Sequence, residues 1–204
     1  MNALIVDYGM GNLGSLRRAL ERLGVVPEVS GKPDTLRAAD RIVLPGVGSF
    51  KDGMANLHRA GMVEPLRKAV LEERVPLLGI CLGLQLLADE GDEGGGAEGL
   101  GLIPGKVVRL QSAGGTERIP HVGWNEIHPS KSHALLTGIP KGSDFYFVHS
   151  YHLLPVHPDD IIATTPYCGS FVSAVARGPA SGVQFHPEKS SRLGFALLRN
   201  FLGI

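Results

Sequence analysis

Residues 75–85 read VPLLGICLGLQ and join an apolar run directly to a helical pattern. The run at 75–80 is typical of a buried parallel strand, and a helix is predicted to start at once, over 81–90. Gly79 and Gly83 lie two residues on either side of Cys81. This is the spacing of a nucleophile elbow, a strained strand–helix turn that needs small neighbours. The stretch therefore predicts an α/β fold with the cysteine at the carboxyl edge of the sheet.

The rest of the first half repeats this alternation of strand and helix. Strands are predicted at 2–8, 25–30 and 39–46, and helices at 12–24, 52–60 and 62–73. Such alternation implies right-handed βαβ units and a mostly parallel sheet. The glycine- and acid-rich residues 90–99, EGDEGGGAEG, are predicted to form an exposed loop.

Short strands dominate the second half, from about residue 100. They are predicted at 105–110, 123–128, 145–152, 160–165, 171–177 and 181–186, and the chain ends in an amphipathic helix at 190–202. Turn residues separate these strands, which suggests antiparallel pairs added to the sheet. We therefore predict a single domain over residues 1–204, with an open, mostly parallel, three-layer α/β sheet and added antiparallel strands in the second half.

Composition argues against several kinds of partner. The 20 basic and 20 acidic residues cancel, which gives no electrostatic reason to expect nucleic acid or an anionic membrane. No apolar run approaches the ~20 residues of a membrane span, and the N-terminus lacks the features of a signal peptide. The two cysteines, at 81 and 168, are far apart in a chain too large to need a disulfide. Reduced thiols and a cytoplasmic location are predicted.

Cys81 is the candidate nucleophile. On an elbow, the N-terminal amides of the following helix favour the thiolate and lower the pKa of the thiol. The amide of Leu82 becomes a natural donor to an oxyanion. A lone cysteine is more often a small buried hydrophobic residue, but the flanking glycines argue against that interpretation here. Cys168 lies beside a predicted turn without such a context and is interpreted as an ordinary small side chain.

A cysteine nucleophile needs a base, and the base needs a group that orients it. His186 ends a predicted strand, and Glu188 follows two positions later in QFHPEKS, residues 184–190. Residues i and i+2 of an extended segment point the same way, so Glu188 can reach the Nδ1–H group of His186. The pair is a weak signal by itself and a much stronger one together with the elbow.

A second glycine-rich turn, LPGVGSF at residues 44–50, follows the third predicted strand. Gly46 and Gly48 let the backbone approach a ligand and present its amides. Because strand order places this loop beside Cys81, we predict that it supplies a second oxyanion donor. A plain βα turn would explain one glycine more easily than two.

The remaining histidines do not suggest a metal site. His149 and His152 are three positions apart on one predicted strand, where they would face opposite sides, and no acidic residue or cysteine near them has metal-ligand spacing. The others are scattered among polar loop residues, at positions 58, 121, 128, 133 and 157. We predict no metal.

The motifs GICLGLQLL and FHPEKS together resemble those of the class I (triad-type) glutamine amidotransferases, whose signature is G-x-C-x-G-x-Q with a distant H-x-E. Within that family, the chain is similar to the glutaminase subunits of imidazole glycerol phosphate synthase, from histidine biosynthesis. The stretches that carry this similarity are DYGMGNLGSL, IVLPGVGSF, EGLGLIPGKVVRL, PHVGWN and FYFVHSYH. The resemblance implies a flavodoxin-like fold, no cofactor, and hydrolysis of L-glutamine to L-glutamate and ammonia through a thioester.

The resemblance also assigns roles to residues. Cys81 attacks the side-chain amide of glutamine, His186 carries the proton to the leaving ammonia, and Glu188 orients His186. The residues implied in binding the oxyanion and the substrate are Val47 or Gly48, Leu82, Gln85, Ser150 and Tyr151.

The resemblance further implies a heterodimer in which ammonia passes to a (β/α)₈-barrel cyclase subunit. The residues that match positions at or near that interface are Asn12, Trp124, Asn125, Tyr146 and Lys189. An exposed tryptophan fits an interface anchor, and a buried core position is the alternative.

Two other functions fit parts of the sequence. GMGNLG, at 9–14, matches the glycine pattern of a dinucleotide-binding turn, but no acidic residue stands at the end of the second predicted strand, and Asp7 and Tyr8 precede the first glycine. An oxidoreductase is therefore disfavoured.

A redox sensor or a binding module with a cysteine elbow needs a low-pKa thiol but no proton shuttle, so the pair His186 and Glu188 argues against it.

Overall fold

The computed structural model describes residues 1–112, 114–115 and 117–204. Five α-helices lie in this part of the chain: α1 (Leu13–Arg22), α2 (Phe50–Arg59), α3 (Val63–Leu71), α4 (Leu82–Gln85) and α5 (Ser191–Leu202). The strands of the same part are β1 (Ala3–Val6), β2 (Glu28–Ser30), β3 (Arg41–Gly46), β4 (Leu77–Cys81), β5 (Glu90–Gly91), β6 (Ala97–Glu98), β7 (Gly105–Arg109), β8 (His121–Pro129), β9 (Ser143–His149), β10 (Tyr151–Pro155), β11 (Ile161–Thr165), β12 (Phe171–Arg177) and β13 (Ala180–Val183).

Nine of the described strands build one large sheet, in the order β2-β1-β3-β4-β13-β12-β11-β8-β9. The neighbours from β2 to β13 run parallel, and those from β13 to β9 run antiparallel. Successive residues of β1 face opposite cores: Leu4 and Val6 pack with α2 and α3, and Ala3 and Ile5 pack with α1 and α5. The predicted three-layer α/β fold, with antiparallel strands added in the second half, is therefore confirmed.

A second, smaller sheet was not predicted. It has the order β10-β7-β5-β6 and packs through Val107 and Leu153 into the same core as α2 and α3. The predicted strand at 145–152 is wrong as one element, because the chain leaves the large sheet after His149 and enters the small one at Tyr151. Burial alternates regularly along β9 and loses its phase at this crossing. Residues 90–99, expected as a loop, contribute two short strands of this sheet, β5 beside β7 and β6 at the edge.

The helix predicted over 81–90 is also much shorter. Its regular part, α4, ends at Gln85. The carbonyl groups of residues 86–88 then accept hydrogen bonds from the amides of residues 100–103. These long-range bonds replace the i→i+4 bonds that would continue the helix.

The glycine pattern at 9–14 forms a turn and a helix cap. Gly9 and Gly11 have φ of 82° and 132°, a region that favours glycine. The side chain of Asn12 accepts a hydrogen bond of 3.2 Å from the amide of Ser15 and so caps α1. Local backbone geometry therefore accounts for this stretch without a bound nucleotide.

Across the described residues, none of the helices has both the length and the apolar character needed to cross a membrane.

Candidate active site

Three parallel strands bring the candidate residues to one edge of the large sheet. Gly46, at the end of β3, pairs with Cys81, at the end of β4. Ile80 pairs with Val183, the last residue of β13, and His186 follows three residues later. The glycine loop after β3, the cysteine and the histidine are therefore neighbours because their strands end at the same level.

The turn at Cys81 is an elbow in its detailed geometry. Cys81 has φ 55° and ψ −110°, a backbone conformation that residues other than glycine rarely adopt. A methyl group on Gly83 would overlap the carbonyl oxygen of Leu44, and one on Gly79 would come within 2.5 Å of the carbonyl oxygen of Gly83. The two glycines are therefore needed for space, and the strained residue is the cysteine itself.

His186 and Glu188 form a buried pair. Nδ1 of His186 lies 2.8 Å from Oε1 of Glu188, and their side chains are only 3% and 4% exposed. The contact is made through a 3₁₀ turn over Pro187–Lys189 and not through the extended segment that was expected. Two further bonds fix the histidine backbone: its amide donates to the carbonyl of Tyr146 at 2.9 Å, and its carbonyl accepts from Ser190 Oγ at 2.6 Å.

The protonation of His186 depends on its two neighbours. Burial by itself lowers the pKa of the imidazole, but the hydrogen bonds and charges of Cys81 and Glu188 outweigh burial and raise the pKa to about 9. Because Nδ1 is bound to Glu188, the proton toward Cys81 is carried by Nε2, which has no other hydrogen-bond partner in the described residues. An imidazolium at this position stabilises a thiolate on Cys81.

Gln184 is a neighbour of Cys81 that the sequence reasoning missed. Its Nε2 atom lies 3.7 Å from Sγ of Cys81, and Sγ lies 3.8 Å from the carbonyl oxygen of Val148. Gln184 is fully buried. A polar residue between apolar neighbours at the end of the predicted strand 181–186 was the available signal.

The cavity beside Cys81 and His186 is lined by all six residues that the resemblance assigned to oxyanion and substrate binding: Val47, Gly48, Leu82, Gln85, Ser150 and Tyr151. Glu93, Val148 and His149 complete its wall and were not predicted to do so. The Gln85 amide donates to the carbonyl of Tyr151 at 2.9 Å and to Oε1 of Gln184 at 3.1 Å. Both N–H groups of Gln85 are thus used inside the wall, which leaves its carbonyl oxygen for a ligand.

Tyr8 supports the glycine loop and was not predicted as a site residue. Its hydroxyl donates to the carbonyl of Pro45 at 2.8 Å. A methyl group on Gly46 would collide with that hydroxyl and with Leu82. Burial first, and then the charge of Cys81, raise the pKa of Tyr8, so the phenol stays protonated and remains a donor.

The five residues matched to interface positions divide into two groups. Trp124 is 54% exposed and meets Tyr146 across the strands β8 and β9, with ring centroids 6.1 Å apart. Nζ of Lys189 lies 5.7 Å from the centroid of the Tyr146 ring. The amides of Asn12 and Asn125 instead make hydrogen bonds within the chain. Trp124 is therefore a surface residue and not a core residue.

No group of three or more histidine, cysteine, aspartate or glutamate side chains is placed to hold a metal ion in residues 1–112, 114–115 and 117–204. Both cysteines are free thiols. Burial and the charge of Glu117 raise the pKa of the Cys168 thiol, which disfavours a thiolate there.

Known proteins are similar to this chain in sequence and in fold. The family model described as glutamine amidotransferase class-I matches residues 4–203. The imidazole glycerol phosphate synthase subunit HisH of Moorella thermoacetica is 51% identical over 97% of this chain and 92% of its own length. The subunit of the same name from Methylococcus capsulatus is 48% identical over 97% of this chain and 94% of its own length. The structure of PurLQS from Thermotoga maritima has the same fold, with a TM-score of 0.77 at 20% identity, covering 99% of this chain and 97% of that chain. The chain belongs to the class I glutamine amidotransferase family.

Proposed function

We propose that this chain is the glutaminase subunit of an imidazole glycerol phosphate synthase. It hydrolyses L-glutamine to L-glutamate and ammonia and delivers the ammonia to a (β/α)₈-barrel cyclase subunit in histidine biosynthesis. The observation that carries the proposal is the buried His186–Glu188 pair beside the strained Cys81, at the edge of a cavity. The names and near-complete coverage of the relatives support the same activity.

The first half of the reaction uses the thiolate–imidazolium pair. The Cys81 thiolate attacks the side-chain amide carbon of glutamine and forms a C–S bond. The imidazolium of His186 then gives its Nε2 proton to the amide nitrogen, and the C–N bond breaks. Ammonia departs, and the acyl group remains on Cys81 as a thioester. Glu188 holds Nδ1 at 2.8 Å throughout, so the proton transfer is restricted to Nε2.

The second half reverses the proton transfer. Nε2 of His186, now neutral, takes a proton from water, which attacks the thioester carbon. The C–S bond breaks and regenerates the Cys81 thiolate with release of glutamate. In both halves the negative oxygen is bound by the amide of Leu82 and by that of Val47 or Gly48, which line the same cavity.

The partner is proposed to dock on the exposed face of β8 and β9. Val122 and Trp124 on β8 pair with Val148 and Tyr146 on β9, and Val122, Trp124 and Val148 are exposed large hydrophobic side chains. Lys189 lies beside this patch and follows Glu188 directly, so a partner seated there is next to the triad. The proposal places the enzyme in the cytoplasm, where Cys81 stays reduced.

The test is a glutaminase assay of the chain coexpressed with the cyclase subunit. Glutamate formation should be lost in Cys81→Ala and retained in Cys168→Ala, the matched control at the other free thiol. Trp124→Ala should weaken co-elution with the cyclase, whereas Val156→Ala, at another exposed apolar position, which follows β10 of the small sheet, should not. Full turnover by Cys81→Ala would exclude this nucleophile, and separate elution of the two unmodified subunits would exclude the partner.

A further inference from the structure

A line of side-chain hydrogen bonds runs from β8 to the wall of the cavity. Nδ2 of Asn125 lies 3.2 Å from Nε2 of His121, and Nδ1 of His121 lies 3.2 Å from Nε2 of His149. Nδ1 of His149 lies 2.9 Å from the carbonyl oxygen of Tyr151. The line therefore ends on the backbone of the segment Ser150–Tyr151, which lines the cavity beside Cys81.

The two ends of this line determine where each proton is. At one end, the amide of Glu126 donates to Oδ1 of Asn125 at 2.9 Å, which fixes the orientation of the Asn125 side chain and makes Nδ2 the donor to His121. At the other end, a carbonyl oxygen can only accept, so Nδ1 of His149 must donate. Nε2 of His149 is then an acceptor, and Nδ1 of His121 donates to it. Both ends thus require the same direction, with a single proton on each imidazole, at Nδ1.

The surroundings keep both rings neutral. His121 and His149 are 3% and 6% exposed, and burial lowers their pKa values to about 4 and about 3. His121 is stacked between Phe147 and Tyr167, with ring centroids 4.9 Å and 3.9 Å away. A second proton on either ring would be on Nε2, where it would face the N–H group of another donor. This arrangement of hydrogen bonds therefore excludes an imidazolium at either residue.

We propose that His121 and His149 are positioning residues of the glutaminase, and that their Nδ1–H tautomers hold the Tyr151 carbonyl and with it the Ser150–Tyr151 wall of the glutamine pocket. Gln85 is the second donor to the same carbonyl, at 2.9 Å. Ser150 lies between His149 and Tyr151, so the bond from His149 closes a tight loop around the point where the chain crosses between the two sheets. Loss of the line frees this loop and weakens glutamine binding without touching the Cys81 thiol. The proposal rests on the proposed glutaminase function.

The tautomers can be measured without any activity. Long-range ¹⁵N–¹H NMR on the unmodified protein at pH 7 should show His121 and His149 both neutral and protonated at Nδ1. An Nε2–H tautomer or an imidazolium at either residue would overturn the proposal.

The effect on glutamine is tested with variants at one position. His149→Phe keeps a ring and removes the hydrogen bonds to His121 and to the Tyr151 carbonyl. It should raise the KM for glutamine about 3- to 10-fold with a smaller change in kcat, the size expected for loss of the one hydrogen bond to the Tyr151 carbonyl. His149→Asn restores a donor close to Nδ1 and should recover part of the loss. His152→Phe, the same change at a buried histidine outside the line, should leave KM near its original value.

Binding separates this proposal from the proposed function. In the Cys81→Ala background, calorimetry should show glutamine binding that His149→Phe weakens by a similar factor. Equal glutamine affinity of Cys81→Ala and of the double variant Cys81→Ala/His149→Phe would overturn the positioning role. Absence of glutamine turnover by the unmodified complex, and of glutamine binding by Cys81→Ala, would instead overturn the glutaminase function itself.

Discussion

Replacing Cys81 by glycine should give a more stable protein than replacing it by alanine. Cys81 has φ 55° and ψ −110°, and both substitutions delete the thiol, but only alanine keeps the Cβ atom that makes this backbone conformation unfavourable. A residue held in such a region costs about 1–3 kcal/mol. Glycine gives back about 0.5–1 kcal/mol because its unfolded chain is more flexible. Taken at the middle of each range, the difference left in favour of Cys81→Gly is about 1 kcal/mol.

The assay compares the thermal unfolding of the two variants by calorimetry. For a chain of this size, 1 kcal/mol shifts Tm by about 2–4 °C, so Cys81→Gly should melt about 2–4 °C above Cys81→Ala. The same pair of substitutions at Ser181, on the regular strand β13, is the control. There glycine should be the less stable variant, by about 0.5–1 kcal/mol.

The order of the two melting temperatures decides the question. A Tm for Cys81→Gly equal to or below that of Cys81→Ala would mean that the elbow stores no strain at its central residue. The position of the nucleophile would then depend on the surrounding packing alone.

Two further predictions concern charge. In Glu188→Gln the imidazolium of His186 loses its carboxylate partner, so its pKa should fall from about 9 toward the ordinary value of a histidine, as measured by NMR titration. The value of kcat/KM for glutamine should fall by about 10²–10⁴-fold. An unchanged pKa would show that Cys81 alone raises the pKa of His186. Acidification should destabilise the fold through three histidines that are buried neutral and whose pKa values are lowered by burial, His121, His149 and His152. Since the unfolded chain takes up these protons below about pH 6.5 and the folded chain does not until about pH 4 or 3, stability should fall as pH falls through this window, by up to about 1.4 kcal/mol per pH unit for each histidine. Denaturant unfolding at pH 7, 6 and 5 measures this slope, which His152→Phe should reduce by the share of one histidine; an unaltered slope would contradict the assignment.

Local sequence was sufficient for the elbow and for most of the first half of the fold. The glycines around Cys81 are required by contacts within the turn and with the neighbouring strand β3. Their spacing in the sequence is therefore sufficient to predict the elbow and the cysteine at its centre. The alternation of strands and helices up to residue 81 predicts the parallel part of the sheet, because each element buries its own apolar face. The second half was harder, since alternating strands of similar pattern can pair in many orders.

The failures have a common physical cause. The break at Ser150 and the end of α4 at Gln85 both depend on hydrogen bonds to distant segments, which no local pattern records. Gln184 likewise lies beside Cys81, and Tyr8 beside the glycine loop, only because separate strands pack together.

The sequence by itself determined the α/β fold class, the elbow at Cys81 and the neighbouring pair His186 and Glu188, because each of these depends on residues a few positions apart. Only the tertiary structure decided that β13 lies parallel to β4, which places His186 beside Cys81, and that the Asn125 amide turns inward to a line of neutral histidines. Strand order and the direction of buried hydrogen bonds are set by the burial of the whole sheet and by the complete pairing of its polar groups. These are properties of residues that are distant in the chain, and they exist only once the chain has folded.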